Sequence, residues 1–417
     1  MVRALPLIAA AAAAAAAAPL ASAQLPNPAT RVYLSDASLA AGAQALDGSR
    51  GVYYVARGAE ASKFVIWQKG GGWCTSDANC AERALSDLGS TAEAFCPPTV
   101  DLSTYDESWN FKQLSNNATI NPQAWNWTKI FLPYVDGGSQ TGDRDDPVPV
   151  GNRSIFYRGA RLHRWTMAAL LADEGLSRAT DVLLGGGSAG ALATFLHADG
   201  WRDALPPTAK LVAVPDSGFC ENPKNKFPTH TPLSPPPPPP PPPLPMSPES
   251  VLNYNSTTPN VAYGALMRWV FSAMNSSGGV PAACIAAHPD DPALCIFAEN
   301  VAPTLRTPTF ALQSTYDLYQ IPAIAGLKPS DVAAINAYGA VLKARLEAQF
   351  LGTSAAHGVF LDSCYHHVAE WREIVIDGVD NAQALQLFYE SVGTPGARTT
   401  WEQGKPYPCA ACCVRGQ

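Results

Sequence analysis

Short apolar runs alternate along this chain with glycine-rich or polar loops and with longer segments of helical spacing. Six runs have the length and apolar character of buried strands, namely residues 64–67, 129–132, 182–184, 211–214, 309–312 and 358–361. Three longer segments repeat apolar positions with the period of a helix, namely residues 161–175, 191–205 and 330–350. This alternation predicts an α/β fold in which a mostly parallel central sheet has helices on both faces.

The loop after the third strand-like run carries the strongest candidate for chemistry. Gly186, Ser188 and Gly190 form the pattern G-x-S-x-G between a predicted strand and a predicted helix. A serine on such a sharp turn holds its hydroxyl above the sheet, and the N–H of the next residue can face an oxyanion. The same five letters also occur in ordinary glycine–serine loops. The flanking strand and helix favour Ser188 as the nucleophile of an α/β-hydrolase-like three-layer sandwich.

A serine nucleophile needs a histidine that accepts its proton and a carboxylate that orients the histidine. In α/β-hydrolases the acid and then the histidine follow the serine along the chain. Four histidines lie well beyond the serine: His288, His357, His366 and His367. The last two come just past a predicted strand end, where a base is expected. Asp317 also follows a strand end, although an aspartate there is often a turn residue or a helix cap. Asp216 comes too soon after the serine to be the usual acid.

A glycine-rich segment follows the first strand-like run. Gly71, Gly72 and Trp73 lie where α/β-hydrolases place the loop that supplies backbone N–H groups to the oxyanion. Glycine allows the backbone to approach a substrate closely. A simple glycine turn is the alternative interpretation of the same residues.

The first 23 residues have the features of a secretory signal peptide. Arg3 precedes an alanine-rich apolar stretch that ends in the small-residue site before Gln24. A membrane anchor is the alternative, but the short segment and its cleavage-like end favour the signal. No later stretch is long and apolar enough to span a bilayer. We therefore predict a signal peptide over residues 1–23 and one α/β-hydrolase-like domain over residues 24–417.

One segment interrupts the α/β pattern. Residues 235–243 are nine consecutive prolines, which form polyproline II and cannot join a sheet or a helix. The pattern resumes afterwards, so we interpret residues 228–250 as a surface insert within the domain. It is either a tolerated stiff insert or an arm that contacts wall glycans.

Charge and cysteine content narrow the class of protein. The 417 residues have a net charge of −7 and no basic run, which argues against nucleic-acid binding. All ten cysteines follow the predicted signal, so disulfides are expected in an exported chain. Zinc binding by the tail at Cys409, Cys412 and Cys413 is the alternative.

Five N-x-S/T sequons fit a glycosylated surface, namely Asn117, Asn126, Asn152, Asn255 and Asn275.

The chain resembles the pectin acetylesterases, which share an α/β-hydrolase-like fold with the animal Notum carboxylesterases. The resemblance covers about residues 50–375. Its motifs stand in the family's order: residues 70–74, 121–127, 136–139 with 142–143, 156–159, 187–190, 216–219, 316–317 with 320–321, and 363–364 with His367.

Carried over position by position, the resemblance implies that Ser188 is the nucleophile, Asp317 the orienting acid and His367 the base. It implies an oxyanion hole made by the N–H groups of Gly72, Trp73 and Ala189. The family histidine stands three residues after the motif cysteine, so His366 does not match it.

The resemblance also makes a disulfide between Cys284 and Cys295 an expectation, because the family has cysteines at both places. Val135, Gly187, Ala198 and Val368 stand where the family usually has cysteine. Some family disulfides are therefore absent or rewired, with Cys220 and the three C-terminal cysteines as candidate partners. Ala191 stands where the family has glycine, a mild change on the helix.

The resulting hypothesis is a secreted serine carboxylesterase, extracellular or in the cell wall, that removes acetyl groups from a polysaccharide. It needs no metal or organic cofactor, no nucleic acid, no membrane span and no obligate protein partner. A basic groove for an acidic glycan is open to residues such as Lys129, Arg144, Arg158 and Arg161. The alternatives are a catalytically silent glycan-binding or wall glycoprotein, and a Notum-like deacylase acting on another acyl ester.

Overall fold

The computed structural model describes residues 27–102, 112–220, 263–368 and 371–413. The predicted signal peptide, the proline run and the sequon at Asn255 lie outside these residues. Fourteen strands occur within them: β1 Pro28–Tyr33, β2 Val52–Ala56, β3 Glu60–Gln68, β4 Thr99–Asp101, β5 Trp127–Leu132, β6 Val148–Val150, β7 Arg153–Ile155, β8 Asp181–Gly187, β9 Lys210–Asp216, β10 Phe310–Ser314, β11 Gly358–Asp362, β12 Val375–Ile376, β13 Val379–Asp380 and β14 Thr400–Glu402.

Ten α-helices separate these strands in the described part of the chain. They are α1 Asp36–Ala40, α2 Asp77–Arg83, α3 Gly159–Asp173, α4 Ala189–Ala204, α5 Tyr263–Ala273, α6 Ala282–Ala287, α7 Ala298–Val301, α8 Gln320–Ala323, α9 Val332–Gln349 and α10 Asn381–Ser391. The three predicted helices correspond to α3, α4 and α9. Within the described ranges, no helix combines the length and apolarity needed to cross a membrane.

Ten strands form one sheet in the order β14-β11-β10-β9-β8-β3-β5-β2-β1-β4. The seven strands from β14 to β5 are parallel, while β2, β1 and β4 continue the sheet in antiparallel pairs. All six predicted strands lie in the parallel part. The α/β-hydrolase-like fold predicted from the sequence is confirmed.

The two faces of the sheet bury alternate residues of the same strands. On one face Ile66 and Leu184 pack with Phe195 of α4, and on the other Val65 and Leu183 share a cluster with Phe388 of α10. Successive side chains of a strand point to opposite faces, so strands covered on both faces are apolar at nearly every position. This is why the six predicted strands appear in the sequence as continuous apolar runs.

Eight of the ten cysteines form four disulfides: Cys74–Cys80, Cys284–Cys295, Cys364–Cys413 and Cys409–Cys412. The expected Cys284–Cys295 pair is confirmed, and all three tail cysteines take part in disulfides rather than in a cluster of thiols. The suggestion that Cys220 joins a rewired disulfide is wrong. Cys220 is a buried thiol at the end of the described segment that follows β9, and Cys96 is a second buried thiol.

Candidate active site

Ser188 stands on the turn between β8 and α4, at the carboxyl end of the parallel strands. Its backbone has φ 57° and ψ −121°, a conformation that a non-glycine residue rarely adopts. The Ser188 N–H donates to the carbonyl oxygen of Asp216 at the end of β9, 2.8 Å away, which ties the turn to the neighbouring strand. Backbone strain of this kind clusters at functional sites. The turn therefore has the geometry of a nucleophile elbow.

The two outer glycines of G-x-S-x-G are required by close backbone contacts. A Cβ at Gly190 would lie 2.1 Å from the carbonyl oxygen of Gln68, and one at Gly186 would lie 2.5 Å from that of Gly190. Ala191, which replaces a family glycine, packs against Gly218, where a Cβ would lie 2.5 Å from the Ala191 methyl. The strand-to-helix turn thus fits tightly against β3, and the Ala191 change is accommodated by a neighbouring glycine.

Asp317 follows β10 and is fully buried. Its Oδ1 atom accepts hydrogen bonds from the backbone N–H groups of Tyr319, at 2.8 Å, and Gln320, at 2.9 Å. The carboxylate is therefore fixed by the first turn of α8 as well as by any side chain that it contacts. The two interpretations of Asp317, as a helix cap and as an orienting acid, are therefore compatible, because one carboxylate can serve both roles.

His367 lies beyond the end of β11 and bridges the other two side chains. Its Nε2 atom is 2.9 Å from Ser188 Oγ, and its Nδ1 atom is 2.9 and 2.8 Å from the two carboxylate oxygens of Asp317. A serine hydroxyl, an imidazole and a buried carboxylate in this order form the arrangement of a serine-hydrolase triad. Three predicted residues that are up to 179 positions apart in the chain are brought together.

The glycine-rich segment after β3 runs beside Ser188. A Cβ at Gly70 would lie 2.9 Å from the Ser188 Cβ, whereas a Cβ at Gly72 would meet nothing within 4 Å. Gly72 also has φ 66°, which favours glycine. Within the described residues, the backbone N–H groups of Gly72, Trp73 and Ala189 donate to no protein acceptor. They are therefore available as donors to an oxyanion.

Two side chains that the sequence analysis did not single out brace these donors. Ser139 Oγ accepts from Trp73 Nε1 at 2.8 Å and donates to the Ala189 carbonyl at 2.8 Å. Tyr134 donates from its hydroxyl to the Gly72 carbonyl at 2.7 Å and accepts from the Ser139 N–H at 3.2 Å. Ser139 and Tyr134 thus connect both segments of the candidate oxyanion hole.

One buried acid, Asp136, lies close to the Tyr134 phenol of this brace. Burial raises the pKa of Asp136 to about 6, against the opposing effect of N–H donors from Gln140 and Gly138. Burial also raises the pKa of the Tyr134 phenol, and the neighbouring Asp136 raises it further. Tyr134 therefore remains a neutral hydrogen-bond donor at every physiological pH.

Aromatic rings form a wall beside the triad. The Tyr319 ring centroid lies 5.2 Å from that of His367 and 6.4 Å from that of Trp73, which in turn contacts Tyr263 at 5.5 Å. Aromatic rings of this size exclude water and supply flat apolar surface. The side of His367 that faces Tyr319 is consequently aromatic.

His366 does not contact the serine but forms a second histidine–carboxylate pair. Its Nε2 atom lies 3.0 and 3.1 Å from the carboxylate oxygens of Asp362, the last residue of β11, and its Nδ1 atom lies 2.9 Å from the Val368 carbonyl oxygen. Both residues are buried. This pair was not predicted from the sequence. The available signal was a strand that ends in aspartate and is followed by two adjacent histidines.

Two of the positions where the family usually has cysteine are neighbours in space. A Cβ at Gly187 would lie 3.5 Å from both methyl carbons of Val368. Gly187 precedes the candidate nucleophile and Val368 follows the candidate base. In this chain the two loops meet through a valine and a glycine.

Lys129 does not contribute to the suggested basic groove. Lys129 Nζ is buried and donates to the backbone carbonyl groups of Ala124 and Trp127, each at 2.8 Å, and burial lowers its pKa to about 7. Arg161 pairs with Asp143 at 2.6 Å, and Arg158 donates to Gln44 at 2.5 Å. The Trp125 carbonyl is a third acceptor for Lys129 Nζ, at 2.5 Å, so Lys129 holds a turn of its own segment. The two arginines are engaged by nearby acceptors.

Comparisons with known proteins were made against families, sequences and solved structures. The pectinacetylesterase family model matches residues 24–232 and 252–414. Pectin acetylesterase 11 of Arabidopsis thaliana is 28% identical over 354 residues, which cover 80% of this chain and 78% of that protein. Palmitoleoyl-protein carboxylesterase NOTUM of Drosophila melanogaster is 24% identical and covers 83% of this chain, with 46% of that protein matched.

A solved structure of the Wnt deacylase Notum from Drosophila has the same architecture. It superposes with a TM-score of 0.67 and covers 87% of this chain and 93% of that chain, at 23% sequence identity. At that identity the likeness concerns the fold. It agrees with the ten-stranded sheet and its flanking helices.

Proposed function

Because the chain belongs to the pectinacetylesterase family, we propose that it is a secreted serine carboxylesterase that removes acetyl groups from a cell-wall polysaccharide. The observation that carries this proposal is the hydrogen-bonded series from Ser188 through His367 to Asp317, with distances of 2.8–2.9 Å. The family membership and the carboxylesterase relatives support an ester bond as the target.

In the first half of the reaction, Ser188 Oγ attacks the acetyl carbonyl carbon while His367 Nε2 takes the serine proton. The carbonyl oxygen becomes an oxyanion, which accepts from the N–H groups of Gly72, Trp73 and Ala189. Each such donor is worth about 3 kcal/mol of transition-state stabilisation. The ester bond then breaks, and the protonated His367 gives its proton to the departing sugar oxygen.

In the second half, His367 accepts a proton from water as that water attacks the acetyl-serine. The second oxyanion collapses, acetate leaves, and the proton returns to Ser188 Oγ. Asp317 orients the imidazole throughout and stabilises its charged form. Its fixed position, held by two backbone donors at 2.8 and 2.9 Å, favours a single ring orientation.

The aromatic rings beside the triad support a small acyl group as the part of the substrate next to the serine. Tyr319, Trp73 and Tyr263 occupy one side of the site with successive ring contacts of 5.2–6.4 Å. A small acyl group needs little space next to the serine, and a sugar ring can pack on an aromatic face. The relatives named pectin acetylesterases support a polysaccharide as the carrier of the acetyl group.

Four disulfides support an oxidising, extracellular location. The apolar N-terminal segment supports export.

The test is acetate release from acetylated pectin, acetylated xylan and a simple aryl acetate, by the wild type and by Ser188→Ala. We expect turnover by the wild type on at least one polymer and loss of turnover in the variant. A palmitoleoyl-peptide substrate tests the Notum-like alternative in parallel. If the wild type cleaves none of the acetyl esters, the proposal fails, and either the lipid-directed or the glycan-binding alternative replaces it.

A further inference from the structure

The His366 ring makes two hydrogen bonds that only its doubly protonated form can donate. Nδ1 faces the Val368 carbonyl oxygen at 2.9 Å, and Nε2 faces the Asp362 carboxylate at 3.0 and 3.1 Å. A carbonyl and a carboxylate are acceptors, while a neutral imidazole has one N–H. These two acceptors favour an imidazolium at position 366, paired with the buried carboxylate of Asp362.

The electrostatic surroundings agree with this protonation state. Burial disfavours the charged ring, but the Asp362 carboxylate outweighs burial, and the pKa of His366 rises to about 10. The hydrogen bond to Val368 and the more distant Asp216, at the end of β9, act in the same direction. The charged ring is therefore kept over the whole neutral range.

The residue held by this ring has a strained backbone. Val368 has φ 66°, in the left-handed region that a β-branched residue rarely enters. Its N–H donates to Ser217 Oγ at 2.9 Å, and its carbonyl accepts from His366. Such a conformation persists only when its surroundings over-determine it. Here one hydrogen bond fixes each side of the residue.

Val368 directly follows His367, so its backbone sets the direction from which the imidazole reaches Ser188. The same segment is fixed to the acid's loop, since the Leu318 N–H donates to the His366 carbonyl at 3.0 Å. Asp362 also accepts from the Cys364 N–H at 2.9 Å. Hydrogen bonds within the segment 362–368 therefore connect its first residue, through the His366 ring, to its last.

We propose that His366 is a positioning residue, which with Asp362 fixes the strained Val368 backbone and thereby holds His367 between Ser188 and Asp317. This inference rests on the proposed function, because it concerns the efficiency of the same triad. His366 touches neither substrate nor reacting atoms in this role. Its effect is expected in kcat rather than in KM.

The first test compares His366→Gln with His357→Gln and Ser188→Ala on an aryl acetate. His357 is a matched control because it is also a buried histidine. It lies just before the first residue of β11, whereas His366 lies beyond the last one. Glutamine at 366 can donate to one of the two acceptors only. A displacement of about 1 Å can cost about 100-fold in rate, so we expect kcat to fall by about 10- to 100-fold with KM nearly unchanged. His357→Gln should keep the wild-type kcat.

The second test uses Asp362→Asn, which keeps the ring and an acceptor for the Cys364 N–H but removes the negative charge. The ring then loses its second proton at a lower pH than in the wild type. Because the pKa of His366 is raised to about 10, we expect the kcat of the wild type to fall only near and above that pH. In Asp362→Asn this alkaline fall should move to lower pH. A role confined to folding would lower Tm without moving this limb of the pH profile.

The outcomes separate the two proposals. Wild-type kcat in His366→Gln, or an unmoved alkaline limb in Asp362→Asn, overturns the positioning role even when Ser188→Ala is inactive. Full activity of Ser188→Ala overturns the proposed serine mechanism itself. If His366→Gln does not fold, the pH profile of Asp362→Asn decides the matter.

Discussion

Ser139 Oγ donates to the carbonyl oxygen of Ala189 across 2.8 Å, and the hydroxyl oxygen of Ser139 itself accepts from the indole N–H of Trp73. One buried hydroxyl therefore joins the loop that follows the nucleophile to the glycine-rich loop after β3. Ser139 itself has φ 52°, so its loop is held in an uncommon conformation to make these contacts. A buried side chain therefore holds the two loops of the candidate oxyanion hole together.

Ser139→Ala tests this brace. Removing the hydroxyl leaves the Trp73 indole N–H without its partner, at a cost of about 1–3 kcal/mol in the free energy of unfolding. It also removes one hydrogen bond from the Ala189 carbonyl at the start of α4. The loops that carry the Trp73 and Ala189 N–H groups are then no longer joined by a hydrogen-bonded side chain. Because these donors can shift relative to each other, we expect kcat to fall by about 10- to 100-fold. Steady-state kinetics well below Tm measure the catalytic part separately.

Ser276→Ala is the matched control for that variant. Ser276 is equally buried and accepts from Thr141 Oγ1 at 2.8 Å, rather than forming a hydrogen bond with Gly72, Trp73 or Ala189. Its loss should lower stability while kcat stays near the wild-type value. Equal kcat in both variants would show that the Ser139 bridge has no catalytic consequence.

Asp317→Asn isolates the orienting role of the acid. Asparagine Oδ1 still accepts the N–H groups of Tyr319 and Gln320, so the start of α8 is preserved. Its amide NH₂ faces His367 Nδ1 and forces the ring into the tautomer whose Nε2 carries the proton. That ring cannot accept the serine proton, and kcat should fall by about 10⁴-fold.

The comparison for Asp317→Asn is Asp216→Asn. Asp216 is a buried aspartate at the end of the adjacent strand β9, and sequence order made it the less suitable acid. Its replacement should cost far less in kcat. A larger loss at 216 than at 317 would reverse the assignment of the acid.

Acid sensitivity should follow from a buried pair of stacked histidines. The rings of His163 and His197 lie 4.0 Å apart. Burial lowers the pKa of His197 to about 4, and burial together with His197 lowers that of His163 further below its ordinary value. Because unfolded histidine titrates near pH 6.5, the unfolded state takes up the proton first as pH falls.

Stability is therefore lost between about pH 6.5 and pH 4, by about 3 kcal/mol for His197 alone. Urea unfolding at several pH values measures this slope, and His197→Gln should reduce it. His288→Gln, at a half-buried position after α6, should leave the slope unchanged. An identical slope in wild type and His197→Gln would refute the assignment.

The parallel sheet could be predicted from the sequence because burial on both faces makes its strands continuous apolar runs. Strand β2 could not be predicted in this way, although its five residues are also buried, and it pairs antiparallel to β5. Strand direction depends on long-range pairing, which no local pattern records. The antiparallel edge of the sheet therefore appeared only in the structure.

The residues of the site also divide into those marked by a sequence signal and those defined only by contacts between distant segments. Ser188 was recognisable because its turn has a local pattern, and Asp317 and His367 because strand ends and a family resemblance marked them. Ser139 lies within a family motif, but no role could be predicted for it from the sequence, since its contacts form only where three loops meet. Lys129 was misjudged because a cation in a sequence does not reveal the carbonyl groups that fold around it.

The most direct test of the account is to trap the acyl-enzyme. The protein is mixed with an aryl acetate, quenched in acid within the first turnover, and digested for mass spectrometry. We predict one acetyl group on the peptide that contains Ser188, and none in Ser188→Ala. Product formation by the wild type with no acetyl group on Ser188, or with the group on another residue, would contradict the proposed mechanism.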